Sequence, residues 1–241
     1  MGFHEFSSPY DWSRIASFKR TAKAAFGGMV DLSVGSPVDP VPDSVRKALG
    51  AASNDPNAYG YPVTAGTADL RSAIAEWFAA ARNVDLTAID ADVVPTVGSK
   101  EGVALMASLL HLGAGDVVVQ PKVSYPTYEI GTQLAGAEVL KVDDVADVES
   151  WKDVPGVKAV WVNSPCNPTG AVLAAEQMAA IVAAARGIGA VVLSDECYAL
   201  MQWGNVDVEA DADTLASTPC ALRPDVCGGS AQGVLVLYSL S

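Results

Sequence analysis

Val160-Trp161-Val162-Asn163-Ser164-Pro165-Cys166-Asn167-Pro168-Thr169-Gly170 is an apolar run that breaks into two asparagine–proline turns. Ala190-Val191-Val192-Leu193-Ser194-Asp195-Glu196-Cys197-Tyr198 repeats the device, an apolar run closed by carboxylates and an aromatic ring. Residues 174–188, between them, carry a helical pattern. Strand, helix, strand with continuous apolar strands marks an α/β sheet covered on both faces. Working outward, similar apolar runs stand at Val93–Val97, Asp116–Gln120, Ala137–Val142 and Val234–Tyr238. Helical patterns are expected over 43–52, 67–82, 99–112 and 125–135, with Thr67 a natural cap for the second. Sheets of this kind carry their chemistry at the carboxyl ends of the strands, so the residues following each run are the candidates for function.

Four strand exits stand out. Gly98-Ser99-Lys100-Glu101-Gly102 opens a helix, where free backbone N–H groups and the positive end of the helix dipole suit a phosphate; Ser99 as a simple helix cap is the competing reading. The spacing is not that of a nucleotide P-loop. Ser124-Tyr125-Pro126 puts a ring beside a proline, either to stack on a flat ligand or to pack. Asn163 to Gly170 places amide side chains at both turns, where proline biases the backbone away from helix. Asp195 ends an apolar strand, a costly place for a carboxylate unless it is paired, by a ligand cation or by a neighbouring loop that it caps.

Composition narrows the classes. Half of the 241 residues are hydrophobic and 18% are charged, which excludes a disordered chain. Acids outnumber bases 28 to 15, for a net charge of −13. A surface this acidic repels phosphate backbones, so no nucleic-acid partner is expected. No apolar run reaches membrane-helix length, and Met1 to Glu5 lacks a basic lead into an apolar stretch, so a cytoplasmic protein without a membrane partner is expected. Cys166, Cys197, Cys220 and Cys227 form no C-x-x-C pair and only His4 and His111 could add imidazole, so no metal site is expected. Residues 204–230 read as an acidic surface insertion. Aromatic residues dot positions 1–30, where Phe3, Phe6, Tyr10, Trp12 and Phe18 could pack on the body or on a partner chain.

Taken together, Gly35-Ser36-Pro37, Tyr61 through Leu70-Arg71, Gly98-Ser99-Lys100, Ser124-Tyr125-Pro126, Asn163 to Gly170, Asp195-Glu196-Cys197-Tyr198 and Ser239-Leu240-Ser241 resemble, in order, the class I/II aminotransferases of fold type I. These enzymes use pyridoxal 5′-phosphate. Tyr59-Gly60-Tyr61-Pro62, Val97-Gly98-Ser99-Lys100-Glu101 and Val226-Cys227-Gly228-Gly229-Ser230 are most similar to the actinobacterial N-succinyldiaminopimelate aminotransferases of lysine and cell-wall precursor synthesis. The resemblance implies a mixed, mostly parallel sheet with helices on both faces. It implies a large cofactor-binding domain over 46–241, and over 1–45 an arm with part of a small domain that is incomplete here.

The same resemblance assigns roles. Asp195 matches the carboxylate that keeps the pyridine nitrogen protonated, and Asn167 and Tyr198 match the pair that hydrogen-bonds the cofactor's phenolic oxygen. Tyr125 matches the stacking ring. The N–H groups of Ser99 and Lys100 with the Ser239 hydroxyl match the phosphate cradle, to which Ser241 adds. Tyr61 matches a tyrosine that reaches the cofactor phosphate of the other subunit, which implies a homodimer. Gly35 matches a backbone position near the substrate α-carboxylate. The family's cofactor-linking lysine follows Ser-x-Ser and is expected at position 242, one place beyond Ser241. Every lysine here lies at or before Lys158, and Lys100 opens a helix beside the phosphate site, a poor substitute. The activity implied is amino transfer from glutamate to a keto acid related to N-succinyl-2-amino-6-oxopimelate. Another aminotransferase or a C–S lyase of the same fold is the enzymatic alternative. A non-catalytic relative is the reading if position 242 is not lysine.

Overall fold

The structure is a computed structural model that describes residues 11–32, 35, 39–201 and 218–240. Two compact units divide the chain, Met1–Thr64 and Ala65–Ser241. In the first, a 3-10 turn, Trp12–Ile15, is capped by the Asp11 carboxylate, which accepts from the Ser13 N–H at 2.9 Å. It leads into α1 (Ala16–Ala24), and α2 (Asp43–Ala52) follows with the bounds expected of it. Neither helix buries a residue, and Phe18, Val45 and Leu49 are exposed. Phe3, Phe6 and Tyr10 lie outside the described residues.

Among the described residues the second unit is built on five strands in the order β2-β1-β3-β4-β5, all four neighbouring pairs parallel: β1 Val117–Pro121, β2 Glu138–Val142, β3 Val157–Asn163, β4 Val191–Asp195 and β5 Val234–Leu237. The helices among the described residues are α3 (Ala68–Arg82), α4 (Ser99–Leu109), α5 (Thr127–Ala135), α6 (Ala175–Gly187) and a short α7 (Pro224–Cys227). Each starts and stops for local reasons. The Thr67 hydroxyl accepts from the Leu70 N–H at 3.2 Å to begin α3, which ends on Asn83 in the left-handed conformation. Gln177 Oε1 reaches back to the Ala174 N–H at 2.9 Å at the start of α6.

The strand alternation sorts the apolar side chains into two layers. Val118, Ala159, Trp161, Leu193 and Leu237 face Val103 of α4 and Tyr128 of α5. Val117, Val119, Val160, Val162, Val192 and Val234 face the other side, with Phe78 of α3, Met178, Ile181, Val182 and Ala185 of α6 and Val226 of α7. At about 1.5–3 kcal/mol per fully buried large apolar side chain, these two layers supply the main driving force for the unit. α4 and α5 cross closely because Gly131 has no side chain: a Cβ there would stand 2.7 Å from the Ala104 carbonyl oxygen.

One expected strand is not formed. Val93–Val97 pairs with no described strand, and Val97 is 89% exposed. Pro95 has no N–H to give to a ladder and packs instead against Gly66, where a Cβ would meet its ring at 2.6 Å. The Val97 N–H donates to Glu101 Oε2 at 2.7 Å and the Gly98 N–H to the Thr96 carbonyl at 2.9 Å, so the backbone is satisfied by the next helix rather than by a sheet.

Candidate functional site

The carboxyl ends of the central strands are in register. Asn163 lies opposite Asp195, and Asp195 opposite Leu237. Asp195 is 4% exposed at the last position of β4. Its Oδ2 accepts from the Tyr128 hydroxyl at 2.8 Å and its Oδ1 from the Cys197 N–H at 3.2 Å. Its backbone carbonyl accepts from Asn163 Nδ2 at 2.9 Å. Asp195 therefore caps its own turn. Among the described residues it makes no ion pair with a Lys, Arg or His, so a cation from a ligand would complete it.

The loop after β3 is tied to the same point. Asn163 Oδ1 accepts from the Asn167 N–H at 2.7 Å, and Asn167 Nδ2 donates to the Tyr198 hydroxyl at 3.3 Å. The Ser164 hydroxyl accepts from the Leu173 N–H at 3.0 Å, and the Gly170 N–H closes on the Cys166 carbonyl at 2.7 Å. One buried amide, Asn163, thus links the backbone of β4 to the loop that presents Asn167. Burial raises the Tyr198 phenol above its ordinary range, the Asp195 charge adds to that, and the hydrogen bond from Asn167 works against it. The Cys197 thiol is pushed well up by burial and then by the Asp195 charge, so it stays a protonated packing group rather than a nucleophile.

Tyr125 is half-buried and meets Tyr128 edge to face, centroids 5.8 Å apart and planes at 81°. Ser99 is the first residue of α4, not its cap. Gly98 holds the cap position at φ 79°, a backbone conformation that favours glycine, and no side chain caps the helix. The leading N–H groups of a helix have no intrahelical acceptor, which leaves those of Ser99 and Lys100 for a ligand. This first turn lies against the end of β5: a Cβ on Gly102 would stand 2.9 Å from Leu237 Cδ2, two residues before Ser239. Ser241 lies outside the described residues. Tyr61 and Gly35 belong to the first unit, and both are exposed.

Sequence reasoning missed Tyr128, Asn163 as a brace, and a buried ion pair. Arg82 and Glu196 are fully buried, with Arg82 Nη2 donating to Glu196 Oε2 at 2.9 Å and to the Pro219 carbonyl at 3.2 Å. Glu196 Oε1 accepts from the Ser194 hydroxyl at 3.0 Å and the Ala221 N–H at 2.8 Å. The spacing Tyr125-x-x-Tyr128, one helical turn, was the available signal for Tyr128. Nothing local connects Arg82 with Glu196.

A parallel sheet between two helical layers, with a buried carboxylate, an amide–phenol pair and an open helix start at its carboxyl edge, defines an α/β protein whose donors suit an anionic ligand with a cationic ring. Residues 27–241 match the family "Aminotransferase class I and II". The chain belongs to this family, whose members use pyridoxal 5′-phosphate. It is 41% identical over 233 residues to the probable aminotransferase Rv1178 of Mycobacterium tuberculosis, covering 96% of this chain and 51% of that protein. It is 39% identical over 232 residues to the 4-dedimethylamino-4-oxo-anhydrotetracycline transaminase OxyQ of Streptomyces rimosus, covering 96% and 59%. The solved N-succinyldiaminopimelate aminotransferase of Mycobacterium tuberculosis superposes with a TM-score of 0.65 at 28% identity, covering 86% of this chain and 52% of that one. The chain thus spans little more than half the length of these relatives.

The donor set suits that cofactor. A protonated ring nitrogen would supply the cation that buried Asp195 lacks among the described residues, and Asn167 and Tyr198 offer an N–H and an O–H to one anionic oxygen. Among the described residues no helix is long and apolar enough to cross a membrane.

Proposed function

We propose that this chain forms the cofactor-binding part of a pyridoxal 5′-phosphate-dependent aminotransferase. In this reading it moves the amino group of glutamate to a keto acid of the N-succinyl-2-amino-6-oxopimelate type, in diaminopimelate and lysine synthesis. The observation that carries the reading is Asp195, a buried carboxylate at the carboxyl end of β4 beside the Asn167–Tyr198 pair, in a chain matched by the family over residues 27–241. The likeness to the N-succinyldiaminopimelate aminotransferase supports the acceptor.

The cofactor, when bound, supplies an electron sink for the bonds of the substrate's α-carbon. The chain's own residues do the rest. Asp195 sets its negative charge against the ring nitrogen from a site that excludes water, where a charge is worth more than in solvent. Asn167 and Tyr198 donate to the phenolic oxygen, and the raised Tyr198 phenol keeps its proton for that bond at neutral pH. Tyr125 stacks on the ring. The N–H groups of Ser99 and Lys100, with the hydroxyls of Ser239 and Ser241, hold the phosphate at the positive end of α4. Gly35 sits by the substrate carboxylate, and Tyr61 reaches the phosphate of a second subunit, which makes the working unit a cytoplasmic homodimer. Residues 46–241 form the large domain and 1–45 the arm with part of the small domain.

A second reading keeps the transamination and changes the acceptor. The likeness to OxyQ, named for a tetracycline intermediate, favours a bulkier cyclic ketone. The test uses the full-length protein with glutamate as donor and both classes of acceptor in parallel. Faster turnover of the N-succinyl keto acid supports the first reading, and turnover of cyclic ketones alone overturns its choice of acceptor. Asp195→Asn is expected to cut kcat by on the order of 10²–10³, the scale of one preorganised electrostatic partner. Near-normal turnover in that variant would make Asp195 structural and sink the reading.

A further inference from the structure

We infer that Tyr128 is a positioning residue for Asp195, holding its carboxylate in the one orientation that presents it to the ring nitrogen of the cofactor. The inference rests on the cofactor reading above and adds a residue that the family resemblance did not assign.

Tyr128 lies in the first turn of α5 and is 1% exposed. Its hydroxyl donates to Asp195 Oδ2 at 2.8 Å across 67 residues of sequence. Its ring is clamped in place. It stacks on Trp161 of β3 with centroids 4.4 Å apart and planes at 16°, and it takes Tyr125 edge-on. Its backbone carbonyl accepts from the Thr132 hydroxyl at 2.8 Å. A phenol so held has little rotamer freedom left, so the carboxylate that it binds has little either.

The arrangement divides the carboxylate. Tyr128 occupies one acceptor site on Oδ2, the Cys197 N–H takes one on Oδ1, and the Cys197 thiol also bonds the carboxylate. A carboxylate has about four such sites, so one stays open to a ligand. Burial first, and then the Asp195 charge, drive the phenol far above its ordinary range, so Tyr128 remains a neutral donor at every pH at which the protein would work. Through its edge contact with Tyr125, the same residue also sets the ring that would stack on the cofactor. Two contacts of the proposed site thus share one support.

The experiment is a binding cycle on apoprotein prepared from the full-length protein. Wild type, Tyr128→Phe, Asp195→Asn and the double variant are titrated with pyridoxal 5′-phosphate and with the analogue that has C–H in place of the ring nitrogen. Phenylalanine keeps the stack on Trp161, and thermal unfolding checks that each variant is folded. Tyr128→Phe is expected to weaken the natural cofactor about tenfold, the scale of one lost hydrogen bond to a charged group, and to leave the analogue within about twofold. In the Asp195→Asn background it should cost nothing further, because there is no charge left to orient. Equal losses for both ligands would show that Tyr128 only shapes the pocket, and equal losses in both backgrounds would show that it does not act through Asp195. Either result overturns the inference while the cofactor reading stands. Wild-type protein that fails to bind the cofactor, or Asp195→Asn protein that binds it as wild type does, overturns the reading and the inference together.

Discussion

Arg82→Met leaves the Glu196 carboxylate fully buried without a cation among the described residues, held by the Ser194 hydroxyl and the Ala221 N–H on its Oε1 and by the Cys220 thiol. It also removes the donor to the Pro219 carbonyl. Methionine refills most of the volume, so the loss is electrostatic rather than a cavity. Breaking one side of a buried ion pair costs about 3–5 kcal/mol, because the remaining charge keeps its desolvation cost without its partner. For a chain of this size each kcal/mol moves Tm by about 2–4 °C, which puts the variant roughly 6–20 °C below wild type. Adding Glu196→Gln should recover much of this. The charge is gone, and the amide oxygen keeps Ser194 and Ala221. Thermal unfolding by circular dichroism and calorimetry, with agreement between the two as the check on two-state behaviour, reads all three proteins. A single variant within about 2 °C of wild type, well under the cost of an uncompensated buried charge, would refute the reasoning. So would a double variant as unstable as the single.

Gly131→Ala is expected to lower stability by about 1–2 kcal/mol: the roughly 1 kcal/mol gained in helix propensity is outweighed by overpacking against the Ala104 backbone, which cannot swing aside. Gly50→Ala in α2, with nothing within 4 Å of the new methyl, should instead stabilise by up to about 1 kcal/mol, and a urea series on the pair separates the two effects. The pH dependence has a definite sign. Tyr128 has a raised pKa in the folded state, so above about pH 10 the unfolded chain releases a proton that the folded chain keeps, and stability falls with pH by up to about 1.4 kcal/mol per unit. Tyr198 and Tyr238 are shifted the same way and contribute to the same fall. Unfolding curves from pH 9 to 11 should be flatter for Tyr128→Phe by one group's share, and parallel curves would remove Tyr128 from the account.

The local order was readable from residues alone. Thr67 and Leu70 announced α3, the continuous valine runs announced β1, β3 and β4, and the asparagine–proline turns and Asp195 announced the strand ends that matter. Such features depend on neighbours within a few positions, and a local pattern records them. Val93–Val97 shows where pattern stops: its composition suits a strand, but a strand exists only by pairing, and the N–H groups of Val97 and Gly98 are taken up by Glu101 and Thr96 while Pro95 has none to give. The contacts that hold Asp195 and Glu196 were invisible for the same reason. Tyr128 and Asp195 are 67 residues apart, Asn163 and Asp195 are 32 apart, and Arg82 and Glu196 are 114 apart. The sequence carried the carboxylate at the end of its strand. The register of β3 on β4 and the close crossing of α5 over α4 decided which phenol and which amide surround it, because only the packed sheet brings distant strand ends within hydrogen-bond range.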